Sequence, residues 1–258
     1  KGAFRSGAIS GNSLFYGVDD GFIYEIDHAG NVLKTFDTRI RNEIEYIHYD
    51  KVKGHLYCSQ GVFLNGAPKQ FFPYYFGKNI QFDTYGNVYF SVHNQAGLYQ
   101  LSPNPDFSIQ GLEFESNVLP HYIFKKERSR CIYYDTITNN LWIGYASELV
   151  LLKPTGEEFF IKDKSGKPLY STSIVSDPKG RIWVSTIQNG IYCFDDTLQL
   201  ANITTKSGLS GSLVRKLVSS PSHLYAITDN GVDKIDLNFM TVNSLSRKAG
   251  LHQLGWID

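Results

Sequence analysis

Histidine is the side chain that most often binds transition metals or transfers protons near neutral pH, and this chain has seven. No two of them have the H-x-x-x-H or H-E-x-x-H spacing that places two imidazoles together on a helix to hold zinc. His28, His55 and His223 lie in turn-like sequence, where we expect solvated surface residues. His93 follows the strand-like run VYFSV and opens the polar segment HNQAG, so we expect it to contact a ligand.

The spacing of the candidate nucleophiles and of the adjacent carboxylates in the sequence does not match a catalytic motif. The chain has no G-x-S-x-G motif, and Cys58, Cys131 and Cys193 are far apart within apolar runs, which favours buried strand residues over a disulfide or zinc framework. Asp19–Asp20 and Asp195–Asp196 are adjacent pairs, and neighbouring strand residues point to opposite faces. The sequence therefore predicts no catalytic residue, no metal site and no cofactor.

Composition narrows the class of protein. The 258 residues carry 25 Lys plus Arg and 25 Asp plus Glu, a zero net charge that argues against nucleic-acid binding. A charged fraction of 19% and an aromatic fraction of 14% are typical of many short strands and exclude a disordered chain or a coiled coil. No apolar run approaches the ~18 residues of a membrane span, so no membrane insertion is predicted within this segment. The first residues, KGAFRSGAIS, contain neither Met nor a signal-peptide core, and we expect a piece of a longer chain.

The elements that would position these side chains form a repeat. Each of six copies has an apolar strand, a polar turn, an aliphatic–aromatic pair, a short turn and a second apolar run. The equivalent aromatic positions are Phe15, Tyr57, Tyr89, Trp142, Trp183 and Tyr225. Their intervals are 42, 32, 53, 41 and 42 residues. Three of the five match the period of about 40–45 residues of a four-stranded propeller blade.

The repeat predicts an all-β chain, a β-propeller of six recognisable four-stranded blades in a single domain or a fragment of one. The predicted blades cover approximately residues 3–41, 42–73, 74–127, 128–169, 170–211 and 212–243. The tail, 244–258, either closes the ring as a strand or begins a further blade of a seven-bladed ring. Asp177 and Gly180, like Asp83 and Gly86, predict a tight turn in which the Asp bonds forward to the backbone and Gly takes positive φ.

Two intervals depart from the period, and they indicate an insertion in one blade and a shortened blade elsewhere. The 53-residue interval is about 11 residues longer than the 42-residue intervals. We place these extra residues between Pro103 and Arg128, as a candidate functional insertion. The short interval contains QFFPYYFGKN, where five aromatic residues surround a proline.

Copies four to six resemble a known family. The run DPKGRIWVSTIQNGIYCFD with Trp183, the connector TTKSGLSGSLVRKLVSS and the variant NNLWIGYASELVLL are similar to the two-component regulator propeller repeat, a D-x-x-G-x-L-W-I-G-T-x-x-G-L run followed by a K-x-G-L connector. The resemblance implies the extracytoplasmic sensing part of a membrane-anchored bacterial sensor kinase or hybrid regulator, with the kinase elsewhere in the chain. Streptogramin lyases share the D-x-x-G-x-[IL]-W pattern, and the first copy is equally similar to quinoprotein-like repeats.

A ligand surface is predicted where two sets of loops meet. In a propeller, the turn after each aliphatic–aromatic strand and the connector into the next blade share one face. Cations, amides and aromatic rings concentrate there and suit a saccharide, an anionic or other polar ligand, or a partner protein. The candidate ligand-binding residues are Arg41, Asn42, Tyr74, Tyr75, Lys78, Asn79, His93, Asn94, Gln95 and Arg128.

Three functions follow from these observations. The first is a non-catalytic, periplasmic or otherwise extracytoplasmic ligand-sensing domain of a two-component regulator, for which a homodimer is one expected state of the full-length protein. The second is a protein-interaction scaffold. The third is a propeller enzyme of the lyase or lactonase type.

Overall fold

The computed structural model describes residues 4–39, 41, 43–44, 46–50, 54–59, 61–64, 67–71, 76–84, 88–92, 98–101, 121–124 and 129–245. The chain divides into two compact units, Lys1–Arg128 and Ser129–Asp258. Each unit contains three four-stranded antiparallel sheets in which the strands follow in chain order, or in its exact reverse. We number the sheets one to six along the chain.

The first unit holds sheets one to three. Their strands are β1 Phe4–Ser10, β2 Ser13–Val18, β3 Phe22–Ile26, β4 Val32–Asp37, β5 Ile47–Asp50, β6 His55–Cys58, β7 Gly61–Leu64, β8 Ala67–Phe71, β9 Phe76–Phe82, β10 Val88–Val92, β11 Leu98–Leu101 and β12 His121–Phe124. Phe15, Ile23 and Phe36 of the first sheet pack with Leu56 and Cys58 of the second. Strand β12 lies inside the predicted insertion, and residues 102–120 and 125–128 are outside the described residues.

The second unit holds sheets four to six. Their strands are β13 Ser129–Asp135, β14 Asn140–Tyr145, β15 Leu149–Leu152, β16 Glu158–Ile161, β17 Ser171–Ser176, β18 Ile182–Thr186, β19 Ile191–Asp195, β20 Leu198–Ile203, β21 Val214–Ser219, β22 His223–Thr228, β23 Gly231–Asp236 and β24 Val242–Ser244. A 3-10 turn, Thr205–Ser207, lies in the connector between β20 and β21. One apolar cluster joins sheets four and five, and a second joins sheets five and six.

Burial follows the residue pattern of each strand. β14 (NLWIGY) and β18 (IWVST) are buried along their whole length, as expected for continuous apolar runs. The outer strands β16 and β20 are mostly exposed. Apolar side chains on both faces of a middle strand require neighbouring sheets, which is why blades of this kind fold by stacking.

The six aromatic positions that define the repeat occupy equivalent places. Each lies on the second strand of its sheet in chain order. In sheets four to six, each is paired with a residue near the end of the first strand: two residues before the end for Trp142, and one residue before it for Trp183 and Tyr225. Trp142 and Trp183 are 1% and 0% exposed, and each packs within a cluster that includes the following sheet. The predicted register of these two residues is therefore confirmed.

The described residues contain almost no helix, and none of their helices is long and apolar enough to cross a membrane. Six antiparallel sheets of four strands in meander order are the blade architecture predicted from the sequence. The fold class is a β-propeller.

Candidate functional site

The predicted ligand surface combines the turn between the second and third strands of each sheet with the connector that follows the fourth strand. Hydrogen bonds tie these two loop sets together in both units. Thr38 donates from its backbone to the carbonyl of Gly21 at 3.2 Å in the first sheet. In the second unit, Ile187 donates to Tyr170 at 3.1 Å and Asp229 donates to Leu213 at 3.1 Å. These bonds place the two loop sets together at one end of sheets one, five and six.

The ten candidate residues fall into three groups. Arg41 and Asn79 are described with their side chains, and Lys78 is described as part of strand β9. Seven lie outside the described residues: Asn42, Tyr74, Tyr75, His93, Asn94, Gln95 and Arg128. Their assignment to a ligand surface stays a prediction.

Arg41 lies in the connector after β4 and is held by two contacts. Its guanidinium Nη1 and Nη2 donate to Asp37 Oδ1 at 2.5 Å and Oδ2 at 3.1 Å. It also lies over the Phe22 ring, 4.5 Å from its centroid. The hydrogen bond from Arg41 lowers the pKa of Asp37 to about 2, and the same bond raises the pKa of Arg41. Arg41 and Asp37 are exposed and Phe22 is half-buried. Asp37 and Phe22 are directly paired across β3 and β4, so the sheet register fixes the geometry of this trio.

Carboxylates balance the cations at this end of the first sheet. Arg5 pairs with Glu43 at 3.1 Å and approaches Asp19 at 4.0 Å. Arg39 donates from its backbone to Asp37 Oδ1 at 2.8 Å. An anionic ligand would compete with these carboxylates, whereas hydroxyl groups can both donate to carboxylates and accept from guanidinium groups. The arrangement suits a neutral, hydroxyl-bearing ligand better than an anion.

The equivalent end of the sixth sheet contains a buried carboxylate that sequence reasoning missed. Ser210, in the connector before β21, donates from its backbone and hydroxyl groups to Asp233 Oδ2 at 2.7 and 2.8 Å. Asn230 Nδ2 donates to the Ser210 carbonyl at 3.0 Å. Asp233 is fully buried, and its Oδ1 has no hydrogen-bond partner. Its position in β23, in step with the buried Ile235, is the signal that would have identified it.

The burial predictions for the histidines and for the cysteines have different outcomes. His28 is exposed as predicted, but the expectation for His55 is wrong: it begins strand β6, is 7% exposed, and its Nδ1 lies 3.3 Å from the Tyr57 hydroxyl. All three cysteines are buried strand residues as predicted, and burial raises the pKa of Cys131 to about 11 and of Cys193 to about 12. Within the described part of the chain, no group of three or more His, Cys, Asp or Glu residues is placed to hold a metal ion.

Comparisons with known proteins rest on solved structures. No family model matches the chain, and no curated protein is significantly similar to it in sequence. The crystal structure of the computationally designed protein Ika8 matches 95% of this chain and 73% of its own, with a TM-score of 0.62 at 14% identity. The structure of streptogramin B lyase matches 94% of this chain and 81% of its own, with a TM-score of 0.67 at 13% identity.

A third similar structure is the extracellular domain of a protein described as the hybrid two-component system BT3049 from B. thetaiotaomicron. It matches 95% of this chain with a TM-score of 0.55 at 15% identity. The present chain spans 41% of that chain. Identities this low show a shared fold, the β-propeller, and nothing finer.

Proposed function

We propose that the chain is a non-catalytic, ligand-binding propeller domain in the extracytoplasmic sensing part of a bacterial two-component regulator. The observation that carries the proposal is the likeness of 95% of the chain to the extracellular domain of a hybrid two-component system. The resemblance of the Asp177–Trp183 run and of the connector after β20 to the two-component regulator repeat supports the same role.

The proposed ligand surface is the connector end of the sheets in the first unit, and the part of it that the structure describes best is the Arg41–Asp37–Phe22 trio. A half-buried ring gives a sugar face apolar contact, while the guanidinium and carboxylate groups bind its hydroxyls. The ligand class proposed for this surface is a saccharide or another hydroxyl-bearing polar molecule.

A binding measurement with a charge-matched control tests this surface. Soluble oligosaccharides are screened by thermal shift, and the Kd of each hit is measured by titration calorimetry. Arg41→Ala raises the Kd at least tenfold, about 1.4 kcal/mol, with little change in melting temperature, because the pair it breaks is exposed. Lys34→Ala, which removes the same charge from the middle of β4, leaves the Kd unchanged. Failure of every oligosaccharide to bind, or equal effects of the two variants, would contradict the proposal.

A propeller lyase is the second candidate function. The lyase structure has a higher TM-score than the sensor domain and matches a larger share of its own chain, 81% against 41%. A bound ligand that is converted to product would favour this candidate.

A further inference from the structure

A cavity in the second unit lies at the end of sheets four and five that is opposite to their own connectors. Its volume is about 410 Å³, within the range of small-molecule sites. Its walls come from the turns between the first and second strands of sheets four and five and between their third and fourth strands. Trp142, Lys153, Asp195 and Asp196 are among the lining residues.

Trp142, one of the residues that line this cavity, carries an unused hydrogen-bond donor. Trp142 is 1% exposed, and its Nε1 is buried with no hydrogen-bond partner. A buried N–H without an acceptor costs about 1–3 kcal/mol, and most buried polar atoms in native proteins are paired. A ligand that supplies an acceptor oxygen would satisfy this donor.

The neighbouring sheet shows how the same position is normally satisfied. Trp183 occupies in sheet five the place of Trp142 in sheet four, and its Nε1 donates to Asp177 Oδ2 at 2.9 Å. Arg181 Nε donates to the same oxygen at 2.7 Å, and Arg181 Nη2 donates to the carbonyl of Leu237 in sheet six at 2.7 Å. The guanidinium also lies 5.4 Å from the Trp183 ring centroid. Arg181 therefore fills the space between sheets five and six at this end.

Sheet four replaces the arginine and engages the aspartate elsewhere. Asn140 stands two residues before Trp142, where Arg181 stands before Trp183, and its shorter side chain lines the cavity. Asp135 occupies the place of Asp177, but its turn is one residue longer. Its carboxylate accepts from the Ile137 backbone at 3.1 Å and from the Thr138 hydroxyl at 2.5 Å. The cavity and the unpaired donor thus arise from the same departure from the repeat.

Charge around the cavity limits the ligand class. Three carboxylates, Asp135, Asp195 and Asp196, line it with one cation, Lys153, whose Nζ pairs with Asp196 Oδ2 at 3.1 Å. This excess of negative charge disfavours an anion. Trp142 requires an acceptor oxygen, whereas the carboxylates require donors, and a hydroxyl group supplies both.

We propose that this cavity binds a monosaccharide-sized polyol without negative charge, one of whose oxygens accepts from Trp142 Nε1. The site is separate from the Arg41 surface and does not depend on the sensor role. A signal from Trp142 reports on the cavity and a loss of affinity on Arg41→Ala reports on the connector surface, so the two proposals can fail independently.

The indole N–H resonances of the ¹⁵N-labelled protein test the proposal directly. The chain has three tryptophans, Trp142, Trp183 and Trp256, and single Trp→Phe variants assign their signals. The probes are D-glucose, D-galactose, D-mannose, D-xylose and D-glucosamine, with gluconate as the anionic control. At least one probe shifts the Trp142 N–H saturably with a Kd below about 1 mM, while the Trp183 N–H is unmoved and gluconate binds at least tenfold more weakly.

The second test uses a variant in which sheet four carries the side chain found at the equivalent position of sheet five. Asn140→Arg places in sheet four the side chain that fills the equivalent space in sheet five, and it abolishes the Trp142 shift without affecting oligosaccharide binding at the Arg41 surface. The wild-type titration decides the proposal even if this variant does not fold. A Trp142 signal that no probe moves, equal binding of gluconate, or undiminished binding by a folded Asn140→Arg protein would overturn it.

Discussion

At the scale of single residues, equivalent positions of the repeat have different partners. The Asp177 carboxylate accepts from Trp183, from Arg181 and from two backbone N–H groups of its own turn, so it joins a turn to the core. Asp83 accepts in a similar way from the Tyr89 hydroxyl at 3.2 Å. Trp142 alone of the two buried tryptophans retains an unpaired N–H. Sheets with the same strand order therefore differ in how each aromatic residue is held.

This difference predicts unequal effects of the same substitution. Trp183→Phe removes ring volume and also breaks the hydrogen bond to Asp177, whereas Trp142→Phe removes ring volume and an unpaired donor. The loss of unfolding free energy is larger for Trp183→Phe by about 1–3 kcal/mol, because both variants share the cost of lost packing. Urea denaturation of the ligand-free protein measures the difference. Equal losses would show that the Trp183 bond contributes nothing to stability.

At the scale of elements, the turns decide how closely neighbouring loops approach. Gly190 has φ of +71° in the turn between β18 and β19, and an added Cβ would lie 2.2 Å from the backbone oxygen of Ile203. Gly156 has φ of +87° in the turn between β15 and β16, and an added Cβ would meet no atom within 4 Å. The first glycine is required by both backbone conformation and space, and the second by conformation alone.

Alanine substitution separates these two requirements. Gly156→Ala lowers the unfolding free energy by about 1–2 kcal/mol, the cost of a left-handed conformation for a residue with a Cβ. Gly190→Ala lowers it by about 1–3 kcal/mol more, because the connector backbone must also move. Thermal unfolding of both variants measures the order of stability. A Gly190→Ala protein as stable as Gly156→Ala would mean that the connector is not packed against this turn.

The strands and the aromatic positions of the repeat could be predicted because two periods are visible in the sequence, one of two residues and one of about 42 residues. The forward bonding of Asp177 followed from its Asp-x-x-Gly turn. Asp233 lies in step with the buried Ile235, so the alternation of β23 could have identified it. His55 could not be assigned, because its burial is decided by the strands around it and not by its local sequence. The cavity could not be predicted from the sequence, because Asn140 at the start of β14 has no special signature until Arg181 shows which side chain occupies the equivalent place in sheet five.

At the scale of the whole molecule, the propeller fold is shared by proteins that sense, scaffold and catalyse, so function depends on the ends of the sheets. The described connector end of the first sheet offers paired charges beside an aromatic ring. The two described cysteines with raised thiol pKa values, Cys131 and Cys193, are buried and remain protonated near neutral pH. These features suit reversible binding of a polar ligand.

The fate of the bound ligand tests the central claim most directly. An oligosaccharide that binds the purified protein is incubated with it, recovered from the complex and analysed by mass spectrometry beside a protein-free control. The account predicts stoichiometric recovery of the ligand with its mass and linkage unchanged, because a sensing domain binds without conversion. Formation of an eliminated, ring-opened or hydrolysed product over repeated turnovers, lost when the protein is denatured, would contradict the account and identify an enzyme.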